Sequence, residues 1–599
     1  MAYRKFLAAG LLTVLVTHAA APTKTKPGSA ANLPGEGPAG SLSLQDRVAQ
    51  LIVVRAYGDY LGSRSVEYRT LVHWVRDLHV GGFIVANRVR NGSVINAQPY
   101  EMASFINHMQ KLARTPLFVA SDFEHGASMR VAETAKFPYF MAYGAARDLN
   151  AVRELGAATA HEARTVGVTW VFAPDADVNN NPDNPIINTR SFGEDAQEVA
   201  DGVGAFIAGA HSDPRNVVLV TAKHFPGHGD TDQDSHMQLP RLDQSKERIE
   251  SVELVPFRSA IAHGVDAVMT AHMAVPAFEP DPKPATVSRN ILTGLLREEL
   301  GFKGIIVTDA LDMAGVTALY KQGDLAVRAI EAGADVLLMP SDPQACIQGL
   351  VAAVQSGRIS RKRIDESVAR VLAAKKRVGL FRTRLVDLDQ IPDNLDLPHF
   401  EDLAQTTADK SVTLVKDEKH LFPITNPDDA CVVVLSEGQF SQRGMALITE
   451  VHNRAPKMKA FVANSAMSDA EFVGLAGDLG GCQQIYVAAF VTVAAYRGSV
   501  GLEGALPAFI TKLVHGWAPV ALISLGSPYL LRDYPEVQGY AATFSTSSTS
   551  EIAAAKAIFG EIPITGKLPV SIPGFAKIGD GLSVPVKAKQ ANSGVGQTL

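Results

Sequence analysis

Cysteine is scarce in this chain. Cys346, Cys431 and Cys482 are its three among 599 residues, and they lie far apart. That excludes a disulfide-dense scaffold and shows no metal-ligand spacing. Three buried thiols are expected, and a Cys431–Cys482 bridge is possible but unsupported by the sequence. Charge of one sign is also lacking. The formal net charge is −6, and no long basic run occurs. A nucleic-acid footprint is therefore not expected. No internal repeat at a fixed short period is visible.

Long hydrophobic runs are scarce too. Phe6–Val16 follows Arg4 and Lys5 and precedes the small residues Ala19-Ala20-Ala21. This has the layout of a signal peptide over residues 1–21 and is short for a membrane span. An uncleaved anchor is the alternative, and no cysteine follows to carry a lipid. Residues 22–41 are rich in Pro, Gly, Ala and Ser and suit a disordered lead-in. The expected location is exported, periplasmic or extracellular, with no membrane span after cleavage.

What is present is ordinary globular composition, 46% hydrophobic and 20% charged, on a chain too long for one core. Two large domains are expected. Eight short apolar runs recur: Leu51–Val54, Gly82–Ala86, Leu117–Ala120, Thr169–Ala173, Val217–Thr221, Ala267–Thr270, Ile305–Thr308 and Val336–Met339. Helical patterns such as Val152–Val166 and Val199–His211 fall between most of them. Strands alternating with helices predict a parallel (β/α)8 barrel over residues 42–381, closed by the helix Lys362–Val378. A Pro-containing linker is read over 382–400. Beyond it, Ser411–Val415, Cys431–Leu435, Ile485–Phe490, Val520–Leu525 and Ala541–Ser545 read as strands of an α/β sandwich over 401–585. A polar tail occupies 586–599.

Polar residues follow nearly every run of the barrel half. They include Asp122-Phe123-Glu124-His125, Asp175-Ala176-Asp177, Lys223-His224, His272 and Asp309. The C-terminal ends of barrel strands converge on one mouth, so these groups are expected to share a pocket. The densest segment, Lys223 to His236, holds three histidines and three aspartates. A run this titratable is not expected in a core. It suits a metal site, weakly a phosphate loop, acid/base catalysis, or a solvated loop with no role. Asp234 and His236 would share a face in an extended segment, and the carboxylate would fix the imidazole tautomer. Asp309 ends an apolar strand and suits a nucleophile, a metal ligand or a helix cap. Asp312 is the weaker candidate. Arg130 and Arg190 suit either site cations or plain surface charges.

The run Lys-His-Phe-Pro-Gly-His-Gly-Asp-Thr-x-x-Asp-Ser-His over 223–236 resembles the signature of glycoside hydrolase family 3, in its β-N-acetylglucosaminidase branch. Ala173 to Val178, Arg190 to Gly193, Val307 to Leu311, Ala332 to Asp335, Arg363 to Ser367 and Gly566 to Ser571 resemble further stretches of that family. The resemblance implies a TIM-like barrel followed by an α/β sandwich. It places Asp309 as nucleophile, His236 as acid/base and Asp234 as its partner. It places Asp122, Arg130, Arg190, Lys223 and His224 around the N-acetylhexosamine. His125 departs from the pattern, standing where the branch commonly has glycine.

The implied activity is a retaining exo-β-N-acetylglucosaminidase on peptidoglycan fragments or chitin oligosaccharides, with no cofactor and no metal. Two alternatives within the family are a phosphorylase and a β-glucosidase. An imidazole that has given its proton is neutral and would not repel phosphate. Outside the family's chemistry stand a metal-dependent hydrolase and a noncatalytic sugar-binding protein. With His236 as proton donor, the second domain need not reach the site. It would shape the far side of the groove or only stabilise the barrel.

Overall fold

The computed structural model describes residues 42–90, 93–493 and 497–587. The expected signal peptide and lead-in, and nearly all of the tail, lie outside the described residues.

Eight short parallel strands form the first sheet. They are β1 (Ile52–Tyr57), β2 (Gly82–Ala86), β3 (Phe118–Ser121), β4 (Trp170–Val171), β5 (Leu219–Phe225), β6 (Ala267–Thr270), β7 (Ile305–Thr308) and β8 (Leu337–Leu338). Their order is β8-β1-β2-β3-β4-β5-β6-β7. The ring closes where Val307 bridges Val336 and the Thr308 N–H donates to the Val336 carbonyl at 3.0 Å. Strands covered on both faces read as continuous apolar runs, and β2, β3, β6 and β7 are buried nearly throughout. Inside the ring the Trp170 indole N–H donates to the Thr221 hydroxyl at 2.7 Å, which satisfies the one polar atom of a buried ring.

β5 is longer than its apolar run. It continues through Lys223 and His224, which were expected after the strand, and all seven of its residues are buried. The two basic residues are tolerated there because carboxylates meet them from the neighbouring strand ends.

The second sheet has six strands: β9 (Thr413–Asp417), β10 (Ala430–Ser436), β11 (Lys459–Asn464), β12 (Gln484–Val491), β13 (Val520–Gly526) and β14 (Gly539–Ala542). Their order is β9-β14-β13-β12-β10-β11, parallel except for β9 against β14. Apolar layers cover both faces. One layer takes in Met141, Ala142 and Ala145 from the barrel half, so the two domains share a core.

Two expectations are corrected. Residues 382–400 are not a free linker. The Asn107 side chain holds both backbone groups of Val386, at 2.7 and 2.8 Å. Pro392 and Pro398 sit in the first turns of helices Ile391–Asn394 and Pro398–Ser411. There the missing N–H costs nothing, so a proline read as a breaker is a helix start. Nor are the cysteines three thiols: Cys431 and Cys482 are disulfide-bonded, with Cα atoms 5.8 Å apart, and Cys346 is free and buried. No helix of the described residues is long and apolar enough to cross a membrane.

Candidate active site

The expected side chains meet at the C-terminal mouth of the barrel. Asp122 and Glu124 follow β3. Lys223, on β5, donates from Nζ to Asp122 Oδ1 at 3.0 Å and stands 2.7 Å from Glu124 Oε1. Arg130 donates to the other oxygen of Asp122 at 3.0 Å. Arg190 grips Glu124 with two donors, at 2.8 and 2.9 Å, and reaches Asp175 at 3.3 Å. His224 meets Asp177 Oδ2 through Nδ1 at 2.8 Å. The five expected substrate-binding residues thus join one network with Glu124, Asp175 and Asp177.

The network explains how so much charge is buried. Lys223 is only 2% exposed. Burial alone would neutralise it, but Asp122, Glu124 and Asp175 raise its pKa. Burial likewise pushes Glu124 up, and Arg190 and Lys223 overcome it and hold the carboxylate ionised. Asp175 goes the other way: burial dominates and raises its pKa well above normal despite Arg190, with Glu124 and Asp177 adding to the rise. The expectation that 223–236 avoids the interior is therefore corrected. Lys223, His224, His228 and Asp234 are all buried: Asp122 meets Lys223, Asp177 meets His224 and accepts from the His228 backbone N–H, and Asp234 meets His236.

His236 and Asp234 pair as expected, by a different geometry. The segment is a turn, not an extended strand: the N–H groups of Met237 and Gln238 both reach the Asp234 carbonyl. Asp234 Oδ1 accepts from the His236 backbone N–H and meets its Nδ1, each at 2.8 Å. A short aspartate folding back on the second residue ahead is what brings the two groups together.

Asp309 does not cap a helix; the next one begins at Ala314. Its Oδ1 accepts from the Ala310 N–H at 2.7 Å. Burial pushes its carboxyl up, but the imidazoles of His224, His272 and His236 outweigh this and bring its pKa down to about 2. His272 also fixes the turn. Its Nε2 donates to the Ala310 carbonyl at 2.9 Å, and its Nδ1 meets the Thr286 hydroxyl at 2.7 Å.

Glu124, Asp175, Asp177 and His272 were expected at the mouth from their place after the strands but were given no role, and His228 was considered only as a ligand of a metal-dependent hydrolase. Position at strand ends was the available signal, but it does not tell which carboxylate faces a cation. His228 is the most suggestive of these. It is buried, neither ring nitrogen has a partner among the described residues, and burial lowers its pKa to about 4. Asp175, Asp177 and His224 have ligand atoms within 4.8 Å of one another and form the candidate metal set. The Arg190 guanidinium already stands 3.3 Å from Asp175 there, and the His224 Nδ1 engages Asp177.

The second domain reaches the mouth. Arg443, Thr492 and Val493 line a cavity with Glu124, His125 and Arg190. Tyr529 accepts from Asn179 Nδ2 at 2.9 Å, while Asn179 Oδ1 accepts from the Asn188 N–H at 2.9 Å. Asn188 opens the turn that ends in Arg190. The second domain thus contributes to the wall of the same cavity as Glu124 and Arg190.

A model of the glycosyl hydrolase family 3 N-terminal domain matches residues 43–374. The chain belongs to glycosyl hydrolase family 3. Two curated relatives and one solved structure show where within the family its similarities lie. A β-N-acetylglucosaminidase/β-glucosidase of Cellulomonas fimi is 30% identical over 526 residues, spanning 84% of this chain and 90% of the relative. A β-hexosaminidase A of Pseudoalteromonas piscicida is 34% identical over 328 residues, which is 50% of this chain and 53% of that protein. The structure of a family 3 β-N-acetylglucosaminidase from Paenibacillus sp. str. FPU-7 superposes with a TM-score of 0.78 at 32% identity, covering 88% of this chain and 99% of that one. This family 3 protein is a glycoside hydrolase with the family's barrel and a separate mixed-sheet domain.

Proposed function

We propose that the protein is a retaining exo-β-N-acetylglucosaminidase. The observation that carries the reading is Asp309, a carboxylate at the end of β7 with its Oδ1 held by the Ala310 N–H, at the same mouth as the Asp234–His236 pair. Similarity to the enzymes named above supports the N-acetylated sugar.

In the first step Asp309 attacks the anomeric carbon and the glycosidic bond breaks. The departing oxygen takes a proton from His236 Nε2, while Asp234 steadies the ring through Nδ1. In the second step the neutral imidazole removes a proton from water. The water oxygen attacks the same carbon, and the Asp309 carboxylate leaves. Two inversions give retention. Asp122, Arg130, Arg190, Lys223 and His224 bind the sugar, since Asp122 and Lys223 together offer acceptors and donors to neighbouring hydroxyls. The expected substrates are chitin oligosaccharides or peptidoglycan fragments. Export is part of the proposal, and the Cys431–Cys482 bridge supports it because disulfides persist in oxidising compartments.

The test is hydrolysis of p-nitrophenyl N-acetyl-β-glucosaminide and the matching glucoside by the protein and its Asp309→Ala and His236→Ala variants. The acetylated substrate is expected to be strongly preferred. Asp309→Ala should lose roughly 10⁴-fold or more. His236→Ala should lose less on nitrophenolate, which departs with little help from an acid. Preference for the glucoside would move the protein to the second activity in the Cellulomonas relative's name.

A further inference from the structure

His236 stands on a turn that both domains touch. Within the barrel half, the turn lies against Gly315, in the short helix Ala314–Thr317 that follows the Asp309 loop. A Cβ at Gly315 would come within 2.9 Å of the Ser235 carbonyl oxygen and 3.1 Å of the Gln238 carbonyl oxygen. The missing side chain is what permits this approach. The other contact comes from the second domain. A Cβ at Gly498 would stand 3.4 Å from the sulfur of Met237, the residue next to His236. Gly498 has a φ of 69°, a left-handed conformation natural to glycine.

Gly498 is presented from a fixed base. Glu437 directly follows β10, and Thr492 directly follows β12. Glu437 Oε1 accepts from Arg497 Nη1 at 2.8 Å, and from the Thr492 hydroxyl and backbone N–H at 3.1 and 3.2 Å. Its Oε2 accepts from Arg443 Nη1 at 2.7 Å. Arg497 directs its other donors to Glu503, at 2.7 Å, and to the Gly501 carbonyl, at 2.9 Å. The Ser465 hydroxyl donates to the Glu437 carbonyl at 2.9 Å, and a Cβ at Gly504 would come within 2.7 Å of the Ser465 carbonyl oxygen. The loop carrying Gly498 is therefore tied down near 497 and again near 504. Arg443 and Thr492 also line the cavity beside Glu124 and Arg190, so one carboxylate links the Met237 contact to the sugar-binding side of the mouth.

The hydrogen bonds described above for Asp234 run within residues 234–238. They fix the imidazole within its turn. Where the turn stands relative to Asp309 depends on what it rests against, and proton transfer is sensitive to displacements of about 1 Å. We propose that Arg497 and Glu437 are positioning residues for proton transfer: through Gly498 and Met237 they seat the turn that carries His236. Acid/base catalysis in the barrel then depends on the second domain, although the proton donor belongs to the first. This rests on the reading of His236 as proton donor and deepens it.

The experiment compares kcat/KM on p-nitrophenyl and phenyl N-acetyl-β-glucosaminide. The two aglycones have similar shapes and differ mainly in how much acid help the leaving oxygen needs. Loosening the turn should slow the departure of phenol and spare that of nitrophenol. The nitrophenyl-to-phenyl ratio should therefore rise about tenfold in Met237→Ala and in Arg497→Ala. His236→Ala removes the donor itself and should raise the ratio further. Met237 is 54% exposed, so its truncation tests the proposal even if the half-buried Arg497 is needed for folding. A ratio left at the wild-type value in either folded variant would overturn the proposal, whether or not overall activity or melting temperature falls. An unchanged ratio in His236→Ala would instead remove the reading of His236 as proton donor, and the positioning role with it.

Discussion

One oxygen of Asp234 holds His236 twice, through the backbone N–H and through Nδ1, each at 2.8 Å. The carboxylate thereby sets both the position of the residue and the tautomer of its ring. Asp234→Asn keeps an acceptor for the N–H but loses the charge that stabilises the protonated ring. We expect activity on a natural disaccharide to fall by about 10²-fold, within the range for impaired acid/base catalysis. Activity on the nitrophenyl glycoside should fall much less. Equal losses on both substrates would assign Asp234 a structural role only.

Arg190 joins Glu124 and Asp175 in a geometry that needs a planar fork. Arg190→Lys preserves the charge and loses the two-pronged grip. We predict at least about a tenfold fall in kcat/KM, carried mostly by KM, because the charge-assisted pair with Glu124 that orients the sugar-binding cation is lost. Steady-state kinetics on the aryl substrate would check this.

Much of this arrangement was legible in the sequence, and the gaps have physical causes. β2, β6 and β7 coincide with their apolar runs because they are buried on both faces. β11 was missed. It is an edge strand, and its residues Lys459–Asn464 are mostly exposed or half-buried, so no hydrophobic pattern marks it. Lys223 and His224 were set after β5 because charge ends an apolar run. The structure keeps them in the strand because Asp122, Glu124 and Asp177 lie opposite. Such pairings join residues far apart in the chain, and local pattern does not carry them. The contact from Tyr529 to Asn179, 350 residues away, is of the same kind.

That contact makes a prediction for the second domain. Tyr529→Phe removes the acceptor that steadies Asn179, and through Asn188 the turn bearing Arg190. A hydrogen bond of about 1 kcal/mol is lost, so KM should rise roughly fivefold with a smaller change in kcat. A change in melting temperature with KM unmoved would mean that Tyr529 serves stability alone.

Glu162 tests the electrostatics away from the site. Burial raises its carboxyl pKa from 4.5 to about 8, and its Oε2 has no partner among the described residues. The folded protein therefore binds a proton there that the unfolded chain gives up. Stability from this group is full below pH 4.5 and falls as pH rises toward about 8. Glu162→Gln keeps an oxygen for the Ala135 N–H, which donates to Oε1 at 3.1 Å. It should raise the melting temperature by several degrees above about pH 8 and give no gain near pH 4.5. Thermal denaturation across that range reads the difference.

The central claim is that Asp309 becomes covalently bound to the sugar. It is tested most directly by a slow N-acetylglucosaminide carrying fluorine at C5, followed by proteolysis and mass spectrometry. The account predicts one added sugar on the peptide bearing Asp309, and none in Asp309→Ala. An adduct on another carboxylate, such as Asp312 or Asp175, would contradict it.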